Sequence, residues 1–325
     1  MNRRRWLSKS KLTWIVLLGL TCWPSGNYAA QFSAEKTGFT VRANGLDVPY
    51  KIMSLFALPK EKIDLEILSP ELNGRYRLYA SQVEERWLGT NRWQLQAPEQ
   101  TGVYTLTLTD PQQIRSMTLN LIVMVPFKAL RGEYLNGYRI GTYPKPSHKK
   151  LPIYNSPKGF LEVTPGNADL RLTPHFKLSQ FLCKQQSSFP KYIVLEERLL
   201  LKLELILEKV NQNGYPCQTF QIMSGYRTPY YNKTIGNVQY SCHIYGAAAD
   251  IYIDEYPKND VMDDLNRDGR VDYRDAAVLY DIVDKLYGQE PYKLLVGGLG
   301  RYKSTSHHGP FVHVDVRGFP ARWGY

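Results

Sequence analysis

The chain has 325 residues, of which 43% are hydrophobic and 22% charged, values that exclude an intrinsically disordered chain and fit a folded globular protein. The formal net charge is +11, and five of these positive charges lie in the first 30 residues, which contain no acid, so the remainder carries about +6 (11 minus 5). A moderate positive charge suits a protein that acts on an anionic polymer, although it also serves solubility alone. No nucleic-acid-binding motif accompanies it, and nucleic acid is therefore not an expected partner.

The N-terminus has the pattern of an export signal. Basic residues from Arg3 to Lys11 precede an apolar run from Leu12 to Trp23, and small or polar residues follow up to Ala30. This pattern predicts a signal peptide over residues 1–30 and an exported protein of the periplasm or cell envelope, with no stable membrane span after cleavage. An uncleaved membrane anchor is the alternative interpretation.

Residues 31–128 are predicted to form an all-β, sandwich-like domain. Apolar residues alternate with polar ones around Ile63 to Ile67, Val103 to Leu108 and Met117 to Leu121. Runs with a period of two bury one face of an antiparallel sheet, and turn dipeptides such as Asn44-Gly45 separate them. Because no catalytic cluster occurs here, the domain is interpreted either as a substrate-positioning or partner-binding module or as a stabilising element.

A connector and a mixed domain follow. Residues 129–172 are rich in Gly, Pro, Tyr and Lys and predict a connector with short strands. Leucines recurring at every fourth position predict a helix over residues 192–212, ended by Gly214, and residues 220–223 predict a strand. The C-terminal domain is placed at residues 173–325 and classed as α+β.

Candidate metal ligands lie in two short stretches of this last domain. His243 and Asp250 share the segment Ser-Cys-His-Ile-Tyr-Gly-Ala-Ala-Ala-Asp, and His313 lies in an alternating strand that places Asp315 on the same face. Two imidazoles and one carboxylate fill three positions of a zinc ion and leave one for water. No C-x-x-C pair occurs, so zinc held by thiolates is not expected.

Several motifs in order give the chain a family resemblance. Ser-Gly-Tyr-Arg-Thr-Pro, then S-x-H-x-x-G-x-A-x-D, then Gly-Gly-Leu-Gly-Arg-Tyr and Phe-Val-His-Val-Asp-Val-Arg-Gly, resemble the D-Ala-D-Ala metallopeptidases, and among them the periplasmic murein endopeptidases. The resemblance covers roughly residues 175–325. It implies zinc on His243, Asp250 and His313, a substrate contact by Arg227 and a supporting role near the substrate for Ser241. It also implies a peptide of peptidoglycan as the partner.

The general base departs from the pattern of the family. Many relatives place a catalytic Glu three residues before the last histidine, where this chain has Pro310, which cannot move a proton. Other relatives use a histidine five residues before, which corresponds here to His308. Asp315 and His308 are therefore equal candidates for the base, and Asp315 is alternatively a hydrogen-bonding partner of His313.

An acidic segment predicts a calcium loop inserted over residues 260–288. Its oxygen ligands would come from the following residues of an EF-hand-like or dockerin-like pattern: Asp264, Asn266, Asp268, Arg270 through its carbonyl, Asp272 and Asp275. Gly269 occupies the sharp-turn position, and a helix is predicted to follow. A solvated acidic turn is the alternative.

The sequence thus predicts a zinc peptidase that hydrolyses peptide stems or cross-links of peptidoglycan, as an endopeptidase or a carboxypeptidase. Zinc is the expected catalytic cofactor and calcium a structural one. Two other hypotheses stay open. One is a non-catalytic zinc- and calcium-binding module of the cell envelope. The other is a structural protein whose function resides in the N-terminal β domain.

Overall fold

A computed structural model describes residues 31–68, 74–145 and 151–324. The predicted signal peptide, with its Cys22, therefore lies outside the described residues. No helix in the described part of the chain has both the length and the apolar character needed to cross a bilayer. Residues Phe32–Tyr325 form one compact unit.

The described chain is rich in strands and contains few helices. In its N-terminal part the strands are β1 (Lys36–Ala43), β2 (Leu46–Tyr50), β3 (Ile52–Ala57), β4 (Lys62–Ile67), β5 (Arg77–Tyr79), β6 (Glu84–Gly89), β7 (Arg92–Gln96), β8 (Gly102–Thr109) and β9 (Ser116–Val123). They form a five-stranded sheet in the order β2-β1-β4-β7-β6 and a four-stranded sheet in the order β3-β9-β8-β5. The strands predicted from alternation, β4, β8 and β9, are confirmed.

One strand pair departs from the expected antiparallel pattern. β3 runs parallel to β9, with Met53 opposite Leu119 and Phe56 opposite Ile122. Five of the six residues of β3 are buried, so this strand does not alternate between core and solvent. β3 is the edge strand of its sheet, and its free edge lies against the C-terminal part of the chain, since the N–H of Phe56 donates to the Glu197 carboxylate over 2.7 Å. Burial on both faces removes the period-two signal that sequence analysis depends on.

The predicted connector, residues 129–172, contains the short strands β11 (Tyr134–Leu135), β12 (Tyr138–Arg139) and β13 (Gly159–Val163), as expected. Two further short strands lie outside it, β10 (Val125–Pro126) before it and β14 (Lys191–Ile193) after it. β10, β13 and β14 form a three-stranded sheet, and β11 and β12 form a hairpin. Because Lys191–Ile193 is a strand, the predicted helix over 192–212 begins too early, and the helix in the structure starts at Glu197.

The C-terminal part comprises one sheet and three α-helices among the described residues. The helices are α1 (Glu197–Gln212), α2 (Pro229–Thr234) and α3 (Tyr273–Asp284), and the strands are β15 (Gln221–Ser224), β16 (Ala248–Tyr252), β17 (Gly298–Tyr302), β18 (Phe311–Asp315) and β19 (Ala321–Gly324). The sheet order is β15-β16-β18-β17-β19. In α1 the leucines at every fourth position are buried, as expected for the face of a helix that packs on a core. α3 confirms the helix predicted after the acidic loop, and Leu279, Ile282, Val283 and Leu286 are all buried.

Candidate metal centre

The centre is built from one row of residues that crosses the C-terminal sheet. Ser224 on β15 pairs with Asp250 on β16, Asp250 pairs with His313 on β18, and His313 pairs with Gly300 on β17, which pairs with Trp323 on β19. Directly paired residues on neighbouring strands point to the same face of a sheet. The register therefore brings together residues that lie up to a hundred positions apart in the sequence.

Three candidate ligand atoms converge on this face. His313 Nδ1 lies 2.8 Å from Asp250 Oδ1, and His243 Nε2 lies 3.2 Å from each of these two atoms. All three side chains are buried, and among the described residues no other group of three His, Cys, Asp or Glu side chains converges in this way. Zinc ligands at 2.0–2.1 Å in a tetrahedral arrangement lie about 3.3 Å apart, so the spacing of these donors fits a zinc ion.

Each imidazole is oriented by a contact of the ring nitrogen that does not face the centre. His243 Nδ1 lies 2.7 Å from the carbonyl oxygen of Gly225, and His313 Nε2 lies 3.2 Å from Asp315 Oδ2. A histidine that donates its other N–H to a carbonyl or carboxylate presents the remaining nitrogen's lone pair to the metal. The hydrogen-bond partners thus point His243 Nε2 and His313 Nδ1 at the same place.

The local loop of His243 explains the motif around it. Ser241 caps the short 3-10 helix Cys242–Tyr245, since its hydroxyl accepts from the N–H of His243 over 3.4 Å. Gly246 ends this helix with φ of 67°, and a Cβ atom there would lie 2.2 Å from the carbonyl oxygen of Val194. Only glycine allows the backbone at position 246 to approach Val194 so closely. This contact holds the end of the short helix that contains His243. Ser241 also lines the cleft above the centre.

Burial and charge set the ionisation of the centre. Burial lowers the pKa of His243, which favours the neutral ring that a metal requires. Burial opposes ionisation of Asp250, yet the charges and hydrogen bonds of the two imidazoles hold its pKa well below the ordinary value. At His313 burial lowers the pKa, but the hydrogen bonds to Asp250 and Asp315 outweigh it and raise the pKa.

Arg227 is part of the same assembly. Its Nη2 donates to Asp250 Oδ2 over 2.6 Å, and its Nε donates to the hydroxyl of Ser224 over 2.7 Å. The guanidinium also lines the cleft, as do His307, His308 and Trp323. The cleft has a volume of about 800 Å³, with the three donors at its floor. It is large enough for a peptide segment.

Asp315 and His308 lie in different surroundings. Asp315 is fully buried and does not line the cleft; its carboxylate accepts from the N–H of Gly298 and from Arg317 Nε, at 2.7 and 2.8 Å. Burial opposes ionisation of Asp315, but the hydrogen bonds from His313 and Arg317 hold its pKa far below the ordinary value. His308 is partly exposed on the wall of the cleft, and Pro310 is buried two positions further on.

Arg317 and Trp323 belong to the motifs Val-Arg-Gly and Ala-Arg-Trp, which also resemble the family, but the sequence alone assigned these two residues no role. Arg317 lies two positions after Asp315 and clasps its carboxylate, while the ring centroid of Trp323 lies 5.1 Å from that of His313. A Cβ atom on Gly300 would lie 2.2 Å from Trp323 Nε1. The absence of a side chain at this position of β17 therefore leaves room for the indole beside the histidine. The motif Gly-Gly-Leu-Gly indicates in the sequence that something packs closely on this strand. The sequence does not show that Trp323 is the residue that does so.

The acidic loop does not bring its carboxylates together. Asp264 accepts from the backbone N–H groups of Asp268 and Gly269, at 3.2 and 2.8 Å, and Asp275 accepts from those of Asn266 and Asp272, at 3.1 and 2.8 Å. Asp272 and Asp275 form the capping box of α3. Within the described residues the loop acids do not meet the spacing of a metal-binding group, which only His243, Asp250 and His313 satisfy.

The three cysteines within the described residues lie in the core. Cys183, Cys217 and Cys242 are buried free thiols. Burial raises the pKa of Cys242 to about 12, so this thiol beside His243 is not ionised near neutral pH.

Comparison with known protein families bears on this centre. The model of the family described as Peptidase M15 matches residues 174–274, which include Arg227, His243 and Asp250 and end before His313. No curated protein and no solved structure matches the chain. The matched segment and the convergence of His243, Asp250 and His313 agree: over residues 174–274 the chain is similar to the peptidase M15 family of metallopeptidases.

Proposed function

We propose that this protein is an exported zinc peptidase that hydrolyses amide bonds in the peptide stems or cross-links of peptidoglycan. The observation that carries the proposal is the convergence of His243, Asp250 and His313 at the floor of an open cleft beside Arg227. The substrate class is supported by the resemblance to murein peptidases, by the predicted signal peptide and by the basic character of the chain.

The residues have separate roles in this proposal. Zinc held by the three donors supplies Lewis acidity, which lowers the pKa of water and polarises an amide carbonyl. Arg227 fixes the orientation of Asp250, and its remaining N–H groups face the cleft, where they orient the carbonyl or carboxylate of the substrate. Ser241 holds the loop of His243 and lines the same cleft.

We infer that His308 rather than Asp315 moves the proton. The Asp315 carboxylate contacts His313 on the nitrogen opposite to the one that faces the centre, and Arg317 and Gly298 occupy its oxygens. This arrangement suits a carboxylate that orients a ligating histidine. His308 lines the cleft and is open to solvent, as a group that exchanges protons with substrate and water must be.

The first experiment is digestion of purified peptidoglycan by the zinc-loaded protein lacking residues 1–30, with mass analysis of the soluble fragments. We expect fragments from the wild type and none from His243→Ala, and the fragment masses identify an endopeptidase or a carboxypeptidase. Wild-type protein that binds zinc without releasing fragments supports the non-catalytic envelope-binding module instead, for which Pro310 in place of a glutamate is the structural argument.

We also propose that the loop 264–275 takes up calcium. Support comes from the ligand pattern in the sequence and from the place of the loop directly before α3, which packs against β17 and β18. To bind calcium, the carboxylates of Asp264 and Asp275 would have to give up hydrogen bonds from backbone N–H groups and coordinate the ion instead. We expect calcium to raise the Tm of calcium-free, zinc-loaded protein, and an Asp264→Asn, Asp268→Asn double variant to abolish the rise. An unchanged Tm in the wild type rejects the site.

A further inference from the structure

A second cleft lies behind the first, on the other side of an exposed ridge. The ridge is the segment 235–239, in which every residue is exposed; Ile235 and Val238 face the metal centre, while Gly236 and Gln239 line the second cleft and Asn237 lines both. The second cleft has a volume of about 870 Å³, comparable to the first. Because Asn237 lines both clefts, the two clefts adjoin along this ridge.

The outer wall of the second cleft comes from the connecting region, outside the segment that matches the peptidase family. This wall is attached at both ends. At one end the N–H of Tyr230 donates to the carbonyl of Ile140 over 3.0 Å, and Gly141 packs so closely on Tyr230 that a Cβ atom would lie 2.5 Å from its nitrogen. At the other end the hydroxyl of Tyr240 donates to the carbonyl of Lys145 over 3.1 Å.

The lining of this cleft is positively charged. It contains Arg139, Lys145 and Lys233 and a single acid, Glu133. Arg139 is paired with Glu133 at 2.8 Å and stacks over the ring of Tyr230 at 4.0 Å, so these two charges neutralise each other. Lys145 and Lys233 are exposed, and they leave the cleft with a surplus of two positive charges.

A buried acceptor faces the same space. Asn232 lines the cleft and is only 3% exposed, and within the described residues no donor reaches its Oδ1 atom. Its Nδ2 donates to the carbonyl of Val238 over 2.9 Å, which fixes the orientation of the amide. A buried acceptor without a donor carries a free-energy cost that a ligand N–H would relieve.

We propose that the second cleft is a subsite for a second, carboxylate-bearing peptide stem of the same cross-linked substrate. Lysines 145 and 233 would bind its carboxylates, and Asn232 would accept from a backbone N–H. The inference rests on the proposed peptidoglycan substrate. It explains why the connecting region is fastened to α2 and to Tyr240 beside the metal centre.

The test compares Lys233→Glu and Lys145→Glu with the matched charge reversal Lys62→Glu, at an exposed position of β4 that lines neither cleft. We expect the cleft variants to release fragments from intact peptidoglycan about three- to tenfold more slowly, while cleavage of a single short stem peptide is unchanged. The difference should disappear on peptidoglycan whose carboxyl groups have been amidated. Equal rates for Lys233→Glu, Lys145→Glu and Lys62→Glu on intact peptidoglycan overturn the subsite.

Co-sedimentation with insoluble peptidoglycan separates this inference from the proposed activity. Weaker sedimentation of Lys233→Glu than of Lys62→Glu supports the subsite even if the wild type releases no fragments. Equal sedimentation of the two variants, together with equal cleavage, rejects it.

Discussion

At the scale of single residues, the centre depends on which nitrogen each histidine presents. His313 Nδ1 faces Asp250 and His243 because Nε2 lies against the Asp315 carboxylate, which Arg317 keeps ionised. In the proposed site the carboxylate would therefore act on a bound metal only through the histidine. The sequence left Asp315 and His308 as equal candidates for the general base. Their different surroundings favour His308 as the base and Asp315 as the residue that orients His313.

The role of Asp315 is tested by Asp315→Asn. The amide retains the shape but loses the charge that holds the His313 N–H, so we expect zinc affinity to fall about 10- to 100-fold. The measurement is zinc competition against a chromophoric chelator, with Asp64→Asn on exposed β4 as control. Unchanged affinity together with lost hydrolysis would instead point to Asp315 as the base.

The role of His308 is tested against its neighbour. We expect His308→Gln to lower the rate of hydrolysis by about 10²- to 10⁴-fold with zinc content unchanged, because general-base catalysis contributes about that much. His307→Gln is the matched control, since His307 is exposed and lines the same cleft. Equal rates for the two variants would reject His308 as the base.

At the scale of elements, a carboxylate on α1 in the C-terminal part forms a hydrogen bond with a strand of the N-terminal part. Glu197 in its first turn accepts from the N–H of Phe56 on β3. Burial raises the pKa of Glu197 from 4.5 to about 7, and the hydrogen bond from Phe56 offsets only part of this. Ionising this buried carboxyl group as the pH rises therefore costs stability.

This pKa predicts a pH dependence of stability. The folded state binds the proton of Glu197 more tightly than the unfolded state, so the free energy of unfolding should fall as pH rises from about 4.5 to about 7, and then level off. Glu197→Gln keeps an acceptor for Phe56 and should remove this fall. Chemical denaturation at pH 5 and pH 8 measures it, with exposed Glu85→Gln as control. An identical fall in Glu197→Gln contradicts the assignment.

At the scale of the whole molecule, one hydrophobic core runs from Phe39 to Val316. Strands β3 and β9 of the four-stranded sheet are largely buried, and β3 contacts α1, so the N-terminal strands cover part of the surface of the C-terminal part. Removing them would expose that surface to water.

We therefore expect the zinc-loaded protein lacking residues 1–30 to unfold in a single cooperative transition. A fragment containing only residues 129–325 should be insoluble or unfolded, because it lacks β3. Scanning calorimetry and circular dichroism measure both. Two separate transitions, or a stable fragment with native zinc affinity, would establish an independent peptidase domain.

The sequence by itself predicted the alternating strands β4, β8 and β18 and the helix α3, because local periodicity is a property of short segments. Its motifs, through their resemblance to a family, predicted His243, Asp250 and His313 as the metal donors. It did not place β3, whose two faces are both buried, or the start of α1, which a strand displaces to Glu197. Only the tertiary structure decided the register that aligns Ser224, Asp250, His313, Gly300 and Trp323 in one row, and the separate surroundings of Asp315 and His308. Strand partners and registers are set by contacts between distant segments, which no local pattern encodes.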